Sequence, residues 1–206
     1  MSKSKHNIAV AGFLLLAVVF FFVRGWFVAV PTLYAALVAA AASRKGGVAI
    51  PLALLSSAVG DYAGSAGNFI MQVAFFAIAH ICYICDFAPL RHATRSRMAG
   101  ATVLAVVALC YLGFVMAHIE QHSEFVAVAV YGLIIYTMGA TAIFQQRKHY
   151  GWYILAAMLF ILSDSILVYG KYIATIPNGS MWIMITYYAA QCLFMTLHTM
   201  RHAPQE

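Results

Sequence analysis

Apolar residues fill the chain in eight long runs, at about residues 8–23, 25–43, 47–63, 67–88, 98–118, 125–144, 151–170 and 181–200, separated by short segments that hold most of the charge. Each run is close to the ~20 residues that carry an α-helix across a bilayer. The pattern predicts an all-α, polytopic membrane helix bundle of about eight transmembrane helices, with residues 1–206 forming a single transmembrane domain. The first run is short and follows Lys3 and Lys5, as a secretory signal would. No small-residue cleavage site follows it directly, and an eighth helix keeps the charge pattern consistent, so it is read as a retained helix. Pro31 and Pro51 fall inside or near the starts of the second and third helices and are expected to kink them. No tandem repeat or low-complexity linker interrupts the series.

Composition strengthens this reading. Hydrophobic residues make up 64% of the chain and charged residues 9%, whereas a soluble domain is about a quarter charged. The outside must therefore be covered by membrane lipids rather than water. The net charge of +6 raises nucleic acid as a partner. The basic residues, however, lie between apolar runs, with no stripe interleaved with aromatics, no dinucleotide glycine fingerprint and no phosphate loop, so no nucleic acid is expected.

If all eight runs span, one side of the membrane collects Lys3, Lys5, Arg44, Lys45, Arg91, Arg95, Arg97, Arg147, Lys148 and Arg201, and the other only Arg24 and Lys171 beside Glu120 and Glu124. The positive-inside rule then makes both termini cytoplasmic. Minimal loops and the lack of a sorting signal favour a bacterial plasma (inner) membrane. The loops are too short to hold a soluble domain, so the chemistry falls to residues of the helices.

Among the acidic residues, Glu120, Glu124 and Glu206 are in loops or the tail, and Asp86 is near the cytoplasmic end of helix four. Asp61 and Asp164 remain deep, where a carboxylate is costly and marks a functional site by default; the alternative is a helix-packing hydrogen bond. At ~1.5 Å per residue both lie roughly 20 Å from the cytoplasmic side, and Tyr187 and Tyr188 of helix eight fall near that level, with Gln191 one turn deeper. Ser57, Ser163 and Ser165 border the aspartates. His80, Tyr83 and Asp86 share one face of helix four, set to bind a head group or orient a water, although a lone intramembrane histidine is often only a packing residue. Two carboxylates meeting in a low-dielectric site cannot both be ionised at little cost. Such a pair supplies one acid and one base, which suits a reaction through an oxocarbenium-like cation, by analogy with glycoside hydrolysis.

His118 and His198 fall at opposite ends of their helices and do not converge with His80, so no metal is expected, nor any other cofactor. Cys82 and Cys85 have a CxxC spacing, but without a second pair or a flanking turn they are read as packing residues, like Cys110 and Cys192.

Ser56 through Gly60-Asp61, His80 and Tyr83 on the next helix, Ser163-Asp164 on helix seven and Thr186-Tyr187-Tyr188-Ala189-Ala190-Gln191 on helix eight together resemble the YhhN-like lysoplasmalogenase family of eight-helix membrane proteins, over about residues 30–200. Val30-Pro31 stands where members often carry Lys-Pro. The resemblance implies hydrolysis of the vinyl ether bond of lysoplasmalogens, a class of lysophospholipid, to a fatty aldehyde and a glycerophosphoethanolamine or glycerophosphocholine. It implies Asp61 and Asp164 as the catalytic pair, with Tyr187, Tyr188 and Gln191 lining the pocket and His80 and Tyr83 placing substrate or water.

Two other readings use the same aspartates. In a proton-coupled transporter or lipid-binding membrane protein they would bind protons or a cationic solute; Gly60 and Gly64 could then break helix three, as in transporters. An intramembrane aspartyl protease also has two aspartates on two helices, but Ala58 stands where its pattern expects glycine, and helices three and seven are not adjacent in order.

Overall fold

The computed structural model describes residues 3–43 and 47–202. Arg44 and Lys45, counted in the charge pattern, and Glu206, counted among the acidic residues, lie outside the described residues, as does the side chain of Lys3. The described chain is all-α, with eight helices: α1 Lys3–Val23, α2 Ala29–Ala42, α3 Ala49–Ser65, α4 Phe69–Phe87, α5 Arg95–Met116, α6 His122–Phe144, α7 Tyr150–Tyr172 and α8 Gly179–Arg201. Among the described residues seven helical segments are long and apolar enough to cross a membrane; α2 is one of them once the 3₁₀ turn Gly25–Val28 is joined to it. α3, with 17 residues, falls short of that length.

Pro31 and Pro51 are each the third residue of their helix. N–H groups of a first turn have no intrahelical acceptor, so proline costs little there. The two prolines thus stand near the helix starts, as expected, where the ring displaces no intrahelical hydrogen bond.

The chain divides into two compact units. The first holds α1, α2, α3, α4 up to Tyr83, and α8 from Gln191; the second runs from Ile84 to Ala190. In the first unit Ala35 and Ala39 of α2 and Ala53 of α3 are fully buried, small side chains that let two helices approach closely. His6 Nδ1 lies 2.9 Å from Thr199 Oγ1, and Ser43 Oγ 2.9 Å from His198 Nε2. These contacts gather the start of α1 and the ends of α2 and α8 at one end of the unit.

In the second unit α5, α6 and α7 pack on one another. The segment after α4 is tied to the segment after α6: the His92 N–H donates to the Phe144 carbonyl (2.7 Å) and the Gln146 N–H to the Leu90 carbonyl (3.1 Å). Arg97 Nη1 donates to the carbonyls of Phe144 (2.9 Å) and Gln145 (2.6 Å), satisfying acceptors that the end of α6 leaves open. Arg147 forms an ion pair with Asp86. At the opposite ends of α6 and α7, Glu124 meets Lys171 (3.2 Å) and accepts from the Tyr172 hydroxyl (2.7 Å). The segments that carry Arg97 and Arg147 therefore share one end of this unit, with Asp86, and Glu124 and Lys171 mark the other.

Candidate functional site

Asp61 is placed by the way α3 ends. Gly67 takes a left-handed conformation (φ 77); its N–H bonds to the Gly64 carbonyl (3.0 Å) and the Asn68 N–H to the Ala63 carbonyl (2.9 Å). This Schellman arrangement stops the helix. Asn68 then caps α4 by accepting from the Met71 N–H (3.1 Å), so α3 and α4 form a tight hairpin.

Ser56, Gly60 and Gly64, four residues apart, form the seam between the two helices. Ser56 Oγ donates to the Phe75 carbonyl (2.7 Å). A Cβ on Gly60 would lie 2.8 Å from the Phe76 ring, and one on Gly64 2.5 Å from the Gln72 amide. Gly60 and Gly64, which could have broken the helix, instead lie within an unbroken α3 and seat it on α4. Asp61 and Ser57, one turn apart beside this seam, are buried, Asp61 with 5% of its surface exposed.

His80 and Tyr83 of α4 and Gln191 of α8 belong to the same unit and are fully buried. The Tyr83 hydroxyl donates to Gln191 Oε1 (3.0 Å), and the Phe194 ring stacks on Tyr83 with centroids 4.1 Å apart. Ser57 Oγ and Gln191 Nε2 are buried without a hydrogen-bond partner among the described residues. Buried polar atoms are rarely left so; a hydroxyl and an amide donor of this kind suit a bound polar group or an ordered water.

Asp164 and Ser163 of α7, and Tyr187 and Tyr188 of α8, lie in the second unit. Asp164 is 7% exposed, and the hydroxyl of the buried Tyr131 donates to its Oδ2. A cavity of about 30 Å³ is lined by Asp164, Tyr131, Tyr111, Tyr136, Val128 and Ile161 among others, room for a water or two at ~10–15 Å³ each. Ser163 Oγ donates to the Ile183 carbonyl (3.1 Å), tying α7 to α8. Tyr187 stands edge-on to Phe160 (5.3 Å, 90°) and 5.6 Å from the ring of Tyr188.

The residues singled out from sequence thus fall into two sets: Asp61, Ser57, His80, Tyr83 and Gln191 in the first unit, and Asp164, Ser163, Tyr187 and Tyr188 in the second. Asp86, placed beside His80 and Tyr83 from sequence, is engaged by Arg147, whose guanidinium also lies over the Tyr153 ring at 5.6 Å. Tyr131, Tyr111 and Tyr136 were not anticipated; phenols on an otherwise apolar helix face were the available signal. Among the described residues no three His, Cys, Asp or Glu side chains are grouped to hold a metal, and no disulfide joins the four cysteines.

A profile of the YhhN family matches residues 19–197, a stretch that contains every residue of both sets. The chain belongs to the YhhN family. This YhhN chain is 36% identical over 152 residues to the Rattus norvegicus protein named lysoplasmalogenase TMEM86B, an alignment covering 72% of this chain and 60% of the relative. To the Homo sapiens protein of the same name it is 36% identical over 153 residues, 72% of this chain and 62% of the relative. To a Mycobacterium tuberculosis protein named lysoplasmalogenase it is 31% identical over 151 residues, 68% of this chain and 56% of the relative. The chain spans about three fifths of the length of the curated relatives it matches. No solved structure matches it. Family membership together with the apolar helices makes it a multi-pass integral membrane protein.

Proposed function

We propose that this YhhN protein is a lysoplasmalogen-cleaving membrane hydrolase that uses Asp61 and Asp164 as its acid and base. The observation that carries the reading is the burial of both carboxylates, 5% and 7% exposed, in apolar helices of a chain akin to proteins named lysoplasmalogenases. Carboxylates withdrawn from water in this way are costly, and function is the usual reason they persist.

In the proposed reaction a carboxylic acid gives its proton to the vinyl carbon that does not bear oxygen, and the ether carbon becomes an oxocarbenium ion. Water adds to that carbon and passes a proton to the second carboxylate, leaving a hemiacetal. The first aspartate, now a carboxylate, takes the hydroxyl proton of the hemiacetal as the bond to the glycerol oxygen breaks, and the second, now protonated, gives its proton to that oxygen. One water is consumed, a fatty aldehyde and a glycerophospho-ethanolamine or glycerophosphocholine leave, and both aspartates return to their starting states. One aspartate serves as the acid, and the other stabilises the cation or activates the water. Tyr131 holds the Asp164 carboxylate in place. Ser57 Oγ and Gln191 Nε2, buried donors without partners among the described residues, are assigned to the water or the polar end of the substrate. Tyr187 and Tyr188 are assigned to substrate contact, Ser163 fixes α7 against α8 beside Asp164, and His80 and Tyr83 are assigned to orienting substrate or water.

The test is aldehyde release from a lysoplasmalogen by the purified protein. Well-folded protein that releases none would sink the assignment, and full activity in both Asp61→Asn and Asp164→Asn would sink the aspartate pair.

A further inference from the structure

A second, larger space lies next to the Asp164 cavity within the same unit. It is a cleft of about 250 Å³ between α5 and α6, walled by Ala101, Ala105 and Ala108 on one helix and Leu133 and Ala140 on the other. Its shape follows from the sequence. α5 touches α6 through two leucines that sit on glycines: a Cβ on Gly139 would lie 2.9 Å from Leu104 Cδ2, and one on Gly132 2.8 Å from Leu112 Cδ1. On the same face of α5 the neighbouring positions are alanines, too short to fill the space that the leucines hold open.

Leu112 and Tyr136 line both the cleft and the Asp164 cavity, so the two adjoin at these side chains. From Ala101 to Leu112 the cleft follows α5 for about 16 Å, close to half of the ~30 Å hydrocarbon thickness and so to the reach of one lipid chain. Leu109 and Leu133, 66% and 61% exposed, lie at its lateral opening.

Resting on the reading of Asp164 as part of a lysoplasmalogen-cleaving site, we propose that the α5–α6 cleft binds the single hydrocarbon chain of the substrate and admits it sideways from the bilayer. The chain runs from Asp164 toward the end of the unit that carries Arg97 and Arg147. The polar end then points toward Glu124 and Lys171, and the bond to be cleaved lies at the level of Asp164.

The experiment has two arms on the purified full chain. In the first, an alkyl-ether lysophospholipid, which has no vinyl double bond to cleave, carries a diazirine at the end of its chain and is photolysed on the protein in detergent. Labelling concentrated on residues 101–108 and 133–140 is expected; labelling spread evenly over exposed apolar faces, such as Leu14, Leu15 and Val18 of α1, overturns the proposal. In the second, the ratio of long-chain to short-chain lysoplasmalogen turnover is measured. Ala105→Trp, which fills the cleft, is expected to lower that ratio at least tenfold, and Val103→Trp, outside the cleft lining, to leave it unchanged. A ratio unaltered by Ala105→Trp overturns the proposal. Wild type that labels in the cleft yet releases no aldehyde defeats the hydrolase reading and keeps the chain site; aldehyde release with scattered labelling does the reverse.

Discussion

Asp61 stands beside a seam in which Ser56, Gly60 and Gly64 bring α3 against α4, whereas Asp164 stands among tyrosines beside a cavity of about 30 Å³. The two residues are of one kind and nearly equally buried, yet they are positioned by different means. Backbone packing sets Asp61: the glycines allow close approach, and the Schellman stop at Gly67 fixes where the helix ends. A side-chain hydrogen bond sets Asp164, with Tyr131 reaching across from α6. Changes near Asp61 should therefore act first on stability, and changes near Asp164 first on turnover.

The strongest break in that comparison is at the aspartates themselves, where function should outweigh environment. Asp61→Asn and Asp164→Asn are each expected to lower aldehyde release by about 10²–10⁴-fold, the usual range for losing a general acid or base; a loss in only one would make the two carboxylates unequal partners. Next comes Gly60→Val, which drives a side chain into the buried Phe76 ring and is expected to cost ~1–3 kcal/mol as overpacking does. A thermal midpoint in detergent that does not fall would show that the seam yields. Tyr131→Phe, by contrast, is expected to reduce turnover about tenfold, for the loss of one buried hydrogen bond to Asp164, while the thermal midpoint moves less than in Gly60→Val. If stability fell and turnover held, Tyr131 would be a packing residue and the contrast would collapse. The smallest effect is expected from Ser57→Ala. With no hydrogen-bond partner to lose among the described residues, its stability should hold or rise as a buried unsatisfied hydroxyl is removed, and a drop in turnover without loss of stability would mark the hydroxyl as a substrate or water contact.

The helices were legible from hydrophobicity because lipid leaves no other explanation for eight apolar runs. Their ends were less so: α5 begins at Arg95 rather than residue 98, α6 at His122 rather than 125, and α7 continues through Lys171 to Tyr172. A helix does not stop where its side chains turn polar, since its backbone bonds are local. Asp61 and Asp164 stood out because they interrupt apolar runs, and both are buried. Tyr131 was not, because its partner is 33 residues away and one phenol on an apolar face has no periodic signature. Gly60 and Gly64 were seen but open to two readings, since a helix interior disfavours glycine unless a neighbour needs the space, and only the position of Phe76 and Gln72 decides that.

One dimension of α3 reaches beyond the protein. Its 17 residues make a rod of about 26 Å, shorter than the ~30 Å of a typical hydrocarbon layer, and a short segment is accommodated by local thinning of the layer. Asp61, four residues before the helix ends at Ser65, is carried with that mismatch. The surrounding lipid thus becomes a variable of the reaction: in vesicles made from a series of increasing acyl length, aldehyde release is expected to slow as the layer thickens, and a flat response would mean that the helix is insulated from it.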